Sequence, residues 1–156
     1  MRFPVNLTTL AMRIFPVMAS ITFLQELAIL PVQSVCSSCN TAMGNVLTNH
    51  NYHYFSCNLC KTKVSILNNT VLSNSNTKLR EFVILMYLFC ENHRTYKTVQ
   101  KEACVKIEGY KDVKLSSATI NKWFSYFRHL VIQDNKRYPA MIGGAGDVVE
   151  IDESML

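Results

Sequence analysis

The sequence predicts an α+β protein with a small cysteine-rich unit, a three-helix module after it, and a short closing strand. Three observations predict this fold class. Two Cys-x-x-Cys pairs, 17 residues apart, lie in a region of strand and turn signals at 34–68. Apolar residues recur at helical spacing over 76–134. From residue 138 onward, a glycine-rich turn leads into a stretch rich in Val and Ile.

Length and composition restrict the class of protein. A chain of 156 residues has room for one or two small domains, and 49% apolar with 17% charged residues is typical of a globular chain. The net charge of +5 is uneven, because 61–137 hold 14 Lys and Arg against six Asp and Glu. Residues 138–156 hold four acids and no base. The basic middle predicts a polyanionic partner.

The first segment, 1–33, is predicted to be an extension with one short helix at Ala19–Leu30 that Pro31 ends. The first 17 residues are expected to be dispensable, with Met18 as an alternative start. Arg13 interrupts the apolar run, which argues against a secretory signal peptide and favours a reducing compartment. The longest charge-free apolar stretch, Ile14–Gln25, is too short to span a membrane.

The second segment, 34–68, is predicted to hold short strands around Tyr52–Phe55 and along Lys61–Leu67, where polar and apolar residues alternate. Each Cys-x-x-Cys turn directs two thiolates at one point, and two such turns supply four sulfurs in a tetrahedron. This pattern predicts a zinc ribbon with a structural Zn²⁺, because a closed shell of four sulfurs leaves no position for a reacting water. The predicted ligands are Cys36, Cys39, Cys57 and Cys60.

Other interpretations of these residues stay open. The four cysteines can instead form two disulfides or remain free thiols. His50 and His53 lie between the two pairs and can substitute as ligands, although surface or strand positions are favoured for them. Cys90 and Cys104 lie on predicted helices and are expected to be small buried side chains.

The third segment, 76–134, is predicted to form three helices: one near Lys78–Glu91, one near Thr98–Val105, and one that starts after Ser116 or Ser117 and runs to about Ile132. Asn76 or Thr77 is expected to cap the first helix. Its apolar stripe comprises Leu79, Phe82, Val83, Met86 and Phe89. The stripe of the third helix comprises Ile120, Trp123, Phe124, Phe127, Leu130 and Val131.

Three short helices with a basic surface fit a helix-turn-helix module that binds double-stranded DNA through its third helix. Trp123 and Phe127 are expected in the core. The residues predicted to reach phosphates or base edges are Asn121, Lys122, Ser125 and Arg128 on the third helix, with Lys111 and Lys114 before it. The alternative is a helical bundle whose basic face is merely solvated.

The last segment, 138–156, contains the run from Met141 to Ser154, in which an apolar strand ends in Asp152. It resembles the opening strand of a ribonuclease-H-like catalytic core, whose carboxylates hold two divalent metal ions. With this strand in place, the chain over 20–156 resembles the amino-terminal part of a Merlin-type transposase, related to the bacterial ISXO-like family. The motifs come in the family's order: Phe23-Leu-Gln-Glu, the paired Cys-x-x-Cys, Lys78-Leu-Arg-Glu-Phe, the Trp123 helix, and Gly-Gly-x-Gly before Val-Glu-Ile-Asp-Glu-Ser. Ala145 departs from the family, which usually has Pro there.

The resemblance implies DNA transposition by a DDE-type nuclease that uses Mg²⁺, with Asp152 at the first catalytic position. The second and third acidic positions would lie downstream of Leu156, so the polypeptide as given is expected to be a DNA-binding fragment with a truncated ribonuclease-H-like domain, and not an enzyme. The alternatives are an active transposase, if the chain continues, and a zinc-ribbon adaptor that binds protein. The nucleus is the expected location in a eukaryote and the cytoplasm otherwise, with no membrane partner and with homo-oligomer formation left open.

Overall fold

The computed structural model describes residues 6–14, 16–49, 52–92, 95–103 and 115–137. Over these residues the protein is a mixed α+β structure with five helices and two small antiparallel sheets. The predicted α+β class is therefore confirmed. The predicted strand that ends at Asp152 lies outside the described residues.

Two helices, α1 (Leu7–Arg13) and α2 (Val17–Glu26), precede the strands. The Asn6 side chain caps α1, because its Oδ1 accepts a hydrogen bond from the Thr9 N–H at 2.9 Å. Leu10 and Ile14 are fully buried and belong to the same core as the later helices. The sequence predicts one helix here, whereas the structure has two, and this burial is at odds with a dispensable amino-terminal segment.

The helix α2 ends at Glu26, five residues before the proline that was expected to stop it. Ala28 takes a left-handed backbone conformation with φ 55°. Its N–H donates to the Gln25 carbonyl and the Ile29 N–H donates to the Leu24 carbonyl, both at 2.9 Å. This is a Schellman motif, which ends a helix by satisfying its last carbonyls. Pro31 is therefore not the residue that stops the helix.

The strands form two separate antiparallel sheets. A two-stranded sheet joins β1 (Ser34–Val35) to β2 (Ala42–Met43). A three-stranded sheet has the order β3 (Val46–Asn49), β4 (Tyr52–Ser56), β5 (Lys63–Ser65). Phe55 of β4 is fully buried and faces the core, so one side of the larger sheet packs inward.

Three helices follow, α3 (Leu79–Cys90), α4 (Tyr96–Ala103) and α5 (Ser117–Arg137). The helix α3 is central, since α1, α2, α4 and α5 all contact it. It is therefore buried on more sides than the predicted single stripe. Its buried residues are Leu79, Arg80, Phe82, Val83, Ile84, Leu85, Tyr87 and Leu88.

The amino-terminal end of α3 is capped differently from the prediction. The Glu81 carboxylate accepts a hydrogen bond from the backbone N–H of Lys78 at 3.2 Å, and Lys78 is the residue at the N-cap position. Thr77 has another partner, because its hydroxyl accepts a hydrogen bond from the Trp123 indole N–H at 2.9 Å. This bond joins the start of α3 to the middle of α5.

Aromatic side chains fill the space between α3 and α5. The ring of Phe82 lies 4.7 Å from that of Trp123, and the ring of Phe89 lies 5.3 Å from that of Phe127, measured between centroids. Ring pairs at such distances, the first of them edge-on, add to the stabilisation that burial provides. Trp123 and Phe127 are core residues, as predicted.

After Phe127, the described residues of α5 no longer pack against the core. Leu130 is 46% exposed and Val131 is 49% exposed, so the prediction that both belong to the buried stripe is wrong. Phe89, which lies one residue from the end of α3, contacts Phe124 and Phe127, and the described residues of α5 from Arg128 onward are all exposed. Within the described parts of the chain, no helix has the length and apolar character of a membrane span.

Candidate metal centre and basic helix

The structure brings together the four cysteines that the sequence predicts as ligands. The Sγ atoms of Cys36, Cys39, Cys57 and Cys60 all lie within 4.8 Å of one another. The shortest distances join the two pairs, at 3.3 Å between Cys36 and Cys60 and at 3.4 Å between Cys39 and Cys57. A cluster of four such donors can hold a metal ion.

Each pair sits in a turn with the same backbone hydrogen bonds. The Cys36 N–H donates to the Thr41 carbonyl at 2.9 Å, and the Cys57 N–H donates to the Thr62 carbonyl at the same distance. The residue after the second cysteine donates back to the first cysteine's carbonyl, from Asn40 at 2.9 Å and from Lys61 at 3.1 Å. Because both Asn40 and Lys61 have positive φ, each turn tightens and directs its two sulfurs to one side.

The hairpins that carry these turns also pair in the same register. Ser34 pairs with Met43 across the first turn, and Phe55 pairs with Val64 across the second at equivalent positions. The sequence carries a signal of this likeness, since Cys-x-x-Cys-x-Thr occurs at both sites. The sequence prediction used the cysteines alone and missed the threonines.

The threonines contact the outer sulfurs of the cluster. The first cysteine of each pair is buried and the second is exposed. The Thr41 Oγ1 lies 3.2 Å from the Cys39 Sγ, and the Thr62 Oγ1 lies 3.1 Å from the Cys60 Sγ. The Cys39 Sγ is the donor in its contact with the Thr41 hydroxyl, whereas the Thr62 hydroxyl can donate to the Cys60 sulfur and stabilise its charged form.

Thr62 changes the electrostatic environment of Cys60. Hydrogen bonds from the side chain and the backbone of Thr62 lower the pKa of the Cys60 thiol to about 6. A cysteine binds a metal ion as its thiolate, so this environment favours the binding form at neutral pH.

The chemistry of the cluster fits a metal ion held in a closed shell. All four cysteines are free thiols, and their sulfurs are farther apart than the roughly 2.05 Å of a disulfide bond. His53 is not a member of the cluster that the described residues form, and His50 lies outside those residues. With four sulfurs around one point, an ion would have no position open for substrate.

The remaining cysteines do not join this centre. Cys90, the last residue of α3, is exposed, so the prediction of a buried side chain is wrong. It lies where the helix leaves the core. Cys104 lies outside the described residues.

The predicted DNA-contacting residues of α5 are all exposed. Asn121, Ser125 and Arg128 follow the spacing that places residues on one helix face, and Lys122 is their neighbour. The Tyr96 hydroxyl of α4 donates a hydrogen bond to the Asn121 side-chain oxygen. The Lys122 ammonium lies 5.6 Å from the centre of the Trp123 ring. Three further predicted site residues, Lys111, Lys114 and Asp152, lie outside the described residues.

Comparisons with known proteins found no match to this chain. No protein-family model matches the chain, and no curated protein or solved structure matches it. The resemblance to Merlin-type transposases therefore stays a prediction.

Proposed function

We propose that this protein binds double-stranded DNA through α5 and that a structural Zn²⁺ holds its cysteine cluster together. In this proposal, α3, α4 and α5 act as a helix-turn-helix module beside a zinc ribbon. The resemblance to Merlin-type transposases implies that the bound DNA is the terminal sequence of a transposable element. Asp152 lies outside the described residues, so the proposal depends on the cysteine cluster and on α5.

Zinc is the ion that the donor set favours. Four thiolates are soft ligands, and structural zinc sites of this kind are tetrahedral with sulfurs about 2.3 Å from the ion. Sulfurs in such a tetrahedron are about 3.8 Å apart. The Sγ–Sγ distances begin at 3.3 Å and stay within 4.8 Å, so small shifts of the side chains reach that geometry.

The observation that carries the DNA proposal is the two-sided character of α5. One side holds Trp123, Phe124 and Phe127 in the core. Asn121, Ser125 and Arg128 are exposed in one row, and Arg128 forms no ion pair with any residue that the structure describes. Amide, hydroxyl and guanidinium groups are the donors and acceptors that contact phosphates and base edges. A helix held in this way presents a fixed row of such groups to a groove.

The test is a binding titration with labelled duplex DNA that carries the ends of the element. Arg128→Gln removes one positive charge from the row, so binding is expected to weaken and to depend less steeply on salt. If Arg128 contacts a phosphate, the slope of log K against log salt should decrease in magnitude by about 0.9. If it contacts a guanine, binding to the preferred sequence should weaken by about 1–3 kcal/mol.

The matched control is Lys101→Gln, which removes one exposed charge from α4. This variant should bind closer to the unmodified protein than Arg128→Gln does. Equal effects of the two substitutions would show that charge alone governs binding, and absent or salt-insensitive duplex binding would contradict the proposal.

A separate test concerns phosphoryl transfer. The resemblance implies that a full-length relative uses Mg²⁺ and three acidic positions. Reading the transcript past the codon for Leu156 shows whether further acidic positions follow Asp152. A stop codon there would remove the transposase activity from consideration for this protein.

A further inference from the structure

The three-stranded sheet has a second side, which faces away from the core. Side chains alternate between the two sides of a strand. Phe55 and its partner Val64 lie on the inner side, so Tyr54 and Tyr52 lie on the outer side of β4. The register places Leu47 of β3 beside Tyr54. We call this outer side the tyrosine face, defined by Leu47, Tyr52, Tyr54 and Lys63.

The tyrosine face is exposed at Tyr52, Leu47 and Lys63, and Tyr54 is half-buried at its centre. Tyr52 is 77% exposed and Leu47 is 47% exposed. Lys63 is exposed on β5, and its ammonium lies 4.8 Å from the centre of the Tyr54 ring. One exposed ring and one half-buried ring beside a cation form a surface on which flat groups can stack.

The charge around this face has one sign. No Asp or Glu occurs between Glu26 and Glu81, a stretch that includes every strand of both sheets. Lys61 and Lys63 are both exposed within that stretch. A face with lysines and without carboxylates on its strands is complementary to a polyanion.

We propose that the tyrosine face binds single-stranded nucleic acid, with bases stacked on Tyr52 and Tyr54 and a phosphate held by Lys63. Residues two apart on a β-strand are about 7 Å apart, about twice the 3.4 Å between stacked bases. The two rings can therefore contact two different bases of one nucleic-acid strand. A duplex keeps its base faces stacked inside, so only unpaired bases can use these rings. This activity does not depend on duplex binding by α5.

The test is fluorescence anisotropy with labelled oligonucleotides of fifteen thymidines or fifteen uridines, using the full chain. Tyr52→Ala is expected to weaken binding about tenfold, because stacking of one base on one ring contributes about that much. Tyr52→Phe should bind like the unmodified protein, since the ring remains. The exposure of Tyr52 makes both variants compatible with the fold, and metal content verifies this.

Two further variants separate stacking from other contacts. Tyr52→Leu keeps an apolar side chain without a ring and should weaken binding as Tyr52→Ala does. Leu59→Ala alters a side chain that is 73% exposed but lies in the second cysteine turn, away from the tyrosine face, and should have no effect. Lys63→Gln should decrease the magnitude of the salt slope by about 0.7.

The outcomes are decisive in both directions. Binding to either oligonucleotide, together with a loss in Tyr52→Ala and retention in Tyr52→Phe, supports the proposal. Binding to neither, an unchanged Tyr52→Ala, full retention in Tyr52→Leu, or an equal loss in Leu59→Ala overturns it. The duplex probe reports on α5 separately, because Arg128→Gln should affect that probe and leave the thymidine oligonucleotide unaffected.

Discussion

Thr62 shows how a single hydroxyl can adjust the cysteine cluster. Its Oγ1 lies 3.1 Å from the Cys60 Sγ and also 3.1 Å from the Ser38 Oγ of the other turn. It therefore contacts a sulfur and links the two hairpins. Groups that hydrogen-bond to metal ligands typically change metal affinity about 10–100-fold when they are removed.

Thr62→Val replaces this hydroxyl by a methyl group of similar size. We expect zinc affinity to decrease about tenfold or more, because the Cys60 thiolate loses its donor and the ligand is less well oriented. Competition with a chromophoric chelator measures the affinity. Thr62→Ser should restore most of it, and Thr48→Val, the same change on β3, should leave it unchanged. Equal affinity for Thr62→Val and the unmodified protein would contradict this role.

Protonation of His53 should make the free energy of unfolding depend on pH. Burial lowers the pKa of His53 below its ordinary value of 6.5, so the folded protein binds fewer protons at this site than the unfolded chain. The His53 contribution to the free energy of unfolding should therefore decrease as the pH falls below 6.5. It should become constant once the pH lies under the folded-state pKa.

His53→Gln removes this titration while keeping a polar side chain. Urea unfolding at pH 7.5 and at pH 5.5 should show a smaller loss of stability for His53→Gln than for the unmodified protein. Because all other groups are the same in both proteins, their contributions cancel in the difference. An identical loss in the two proteins would show that His53 is not responsible.

Among the elements, α2 is followed by a residue, Ala28, whose type is poorly suited to its backbone conformation. Ala28 has φ 55°, in the left-handed region where a Cβ is unfavourable and glycine is usual. Ala28→Gly should therefore raise the free energy of unfolding by about 0.5–1 kcal/mol. Chemical denaturation provides the measurement.

The same substitution at Ala19, inside α2, provides the control. Glycine there should lower stability by about 0.5 kcal/mol, since it costs backbone entropy without relieving strain. Two changes of the same sign would show that the conformation of Ala28 does not determine the effect.

The elements also show which features the sequence could predict. Strong periodicity predicted α3 and α5, and spacing predicted the cysteine turns, because both signals are local. The seven-residue α1 has too few turns to show a period, and Ala28 carries no signal of a left-handed conformation. Leu130 continues the apolar period of α5, but periodicity does not reveal where the neighbouring helix ends. The end of α3 determines where the burial of α5 stops. Cys90 is exposed because it is the last residue of α3.

At the scale of the whole molecule, the helices and the strands differ in what stabilises them. Four other helices contact α3, whereas the strands offer few fully buried residues, among them Phe55 and the adjoining Ile66. A unit as small as 34–68 seldom folds on its core alone. Its structure should therefore depend on the ion far more than that of α3 does.

Removal of the metal by a strong chelator should expose β4 and β5 to hydrogen exchange while α3 remains protected. Hydrogen-exchange mass spectrometry on the metal-free protein measures both regions. Cys57→Ser should reproduce the effect, and Cys90→Ser, which changes an exposed cysteine outside the cluster, should not. Strands that stay protected at zero metal content would show that the ion does not support them.

The matching turns have a consequence for stoichiometry. Each hairpin provides half of a coordination shell, with its own register, its own left-handed residue and its own threonine. A chain in which Cys36 and Cys39 are replaced would retain a competent half-site. Two such chains could then share one ion through their second hairpins, so the variant would bind one zinc per pair of molecules and would associate only when zinc is supplied.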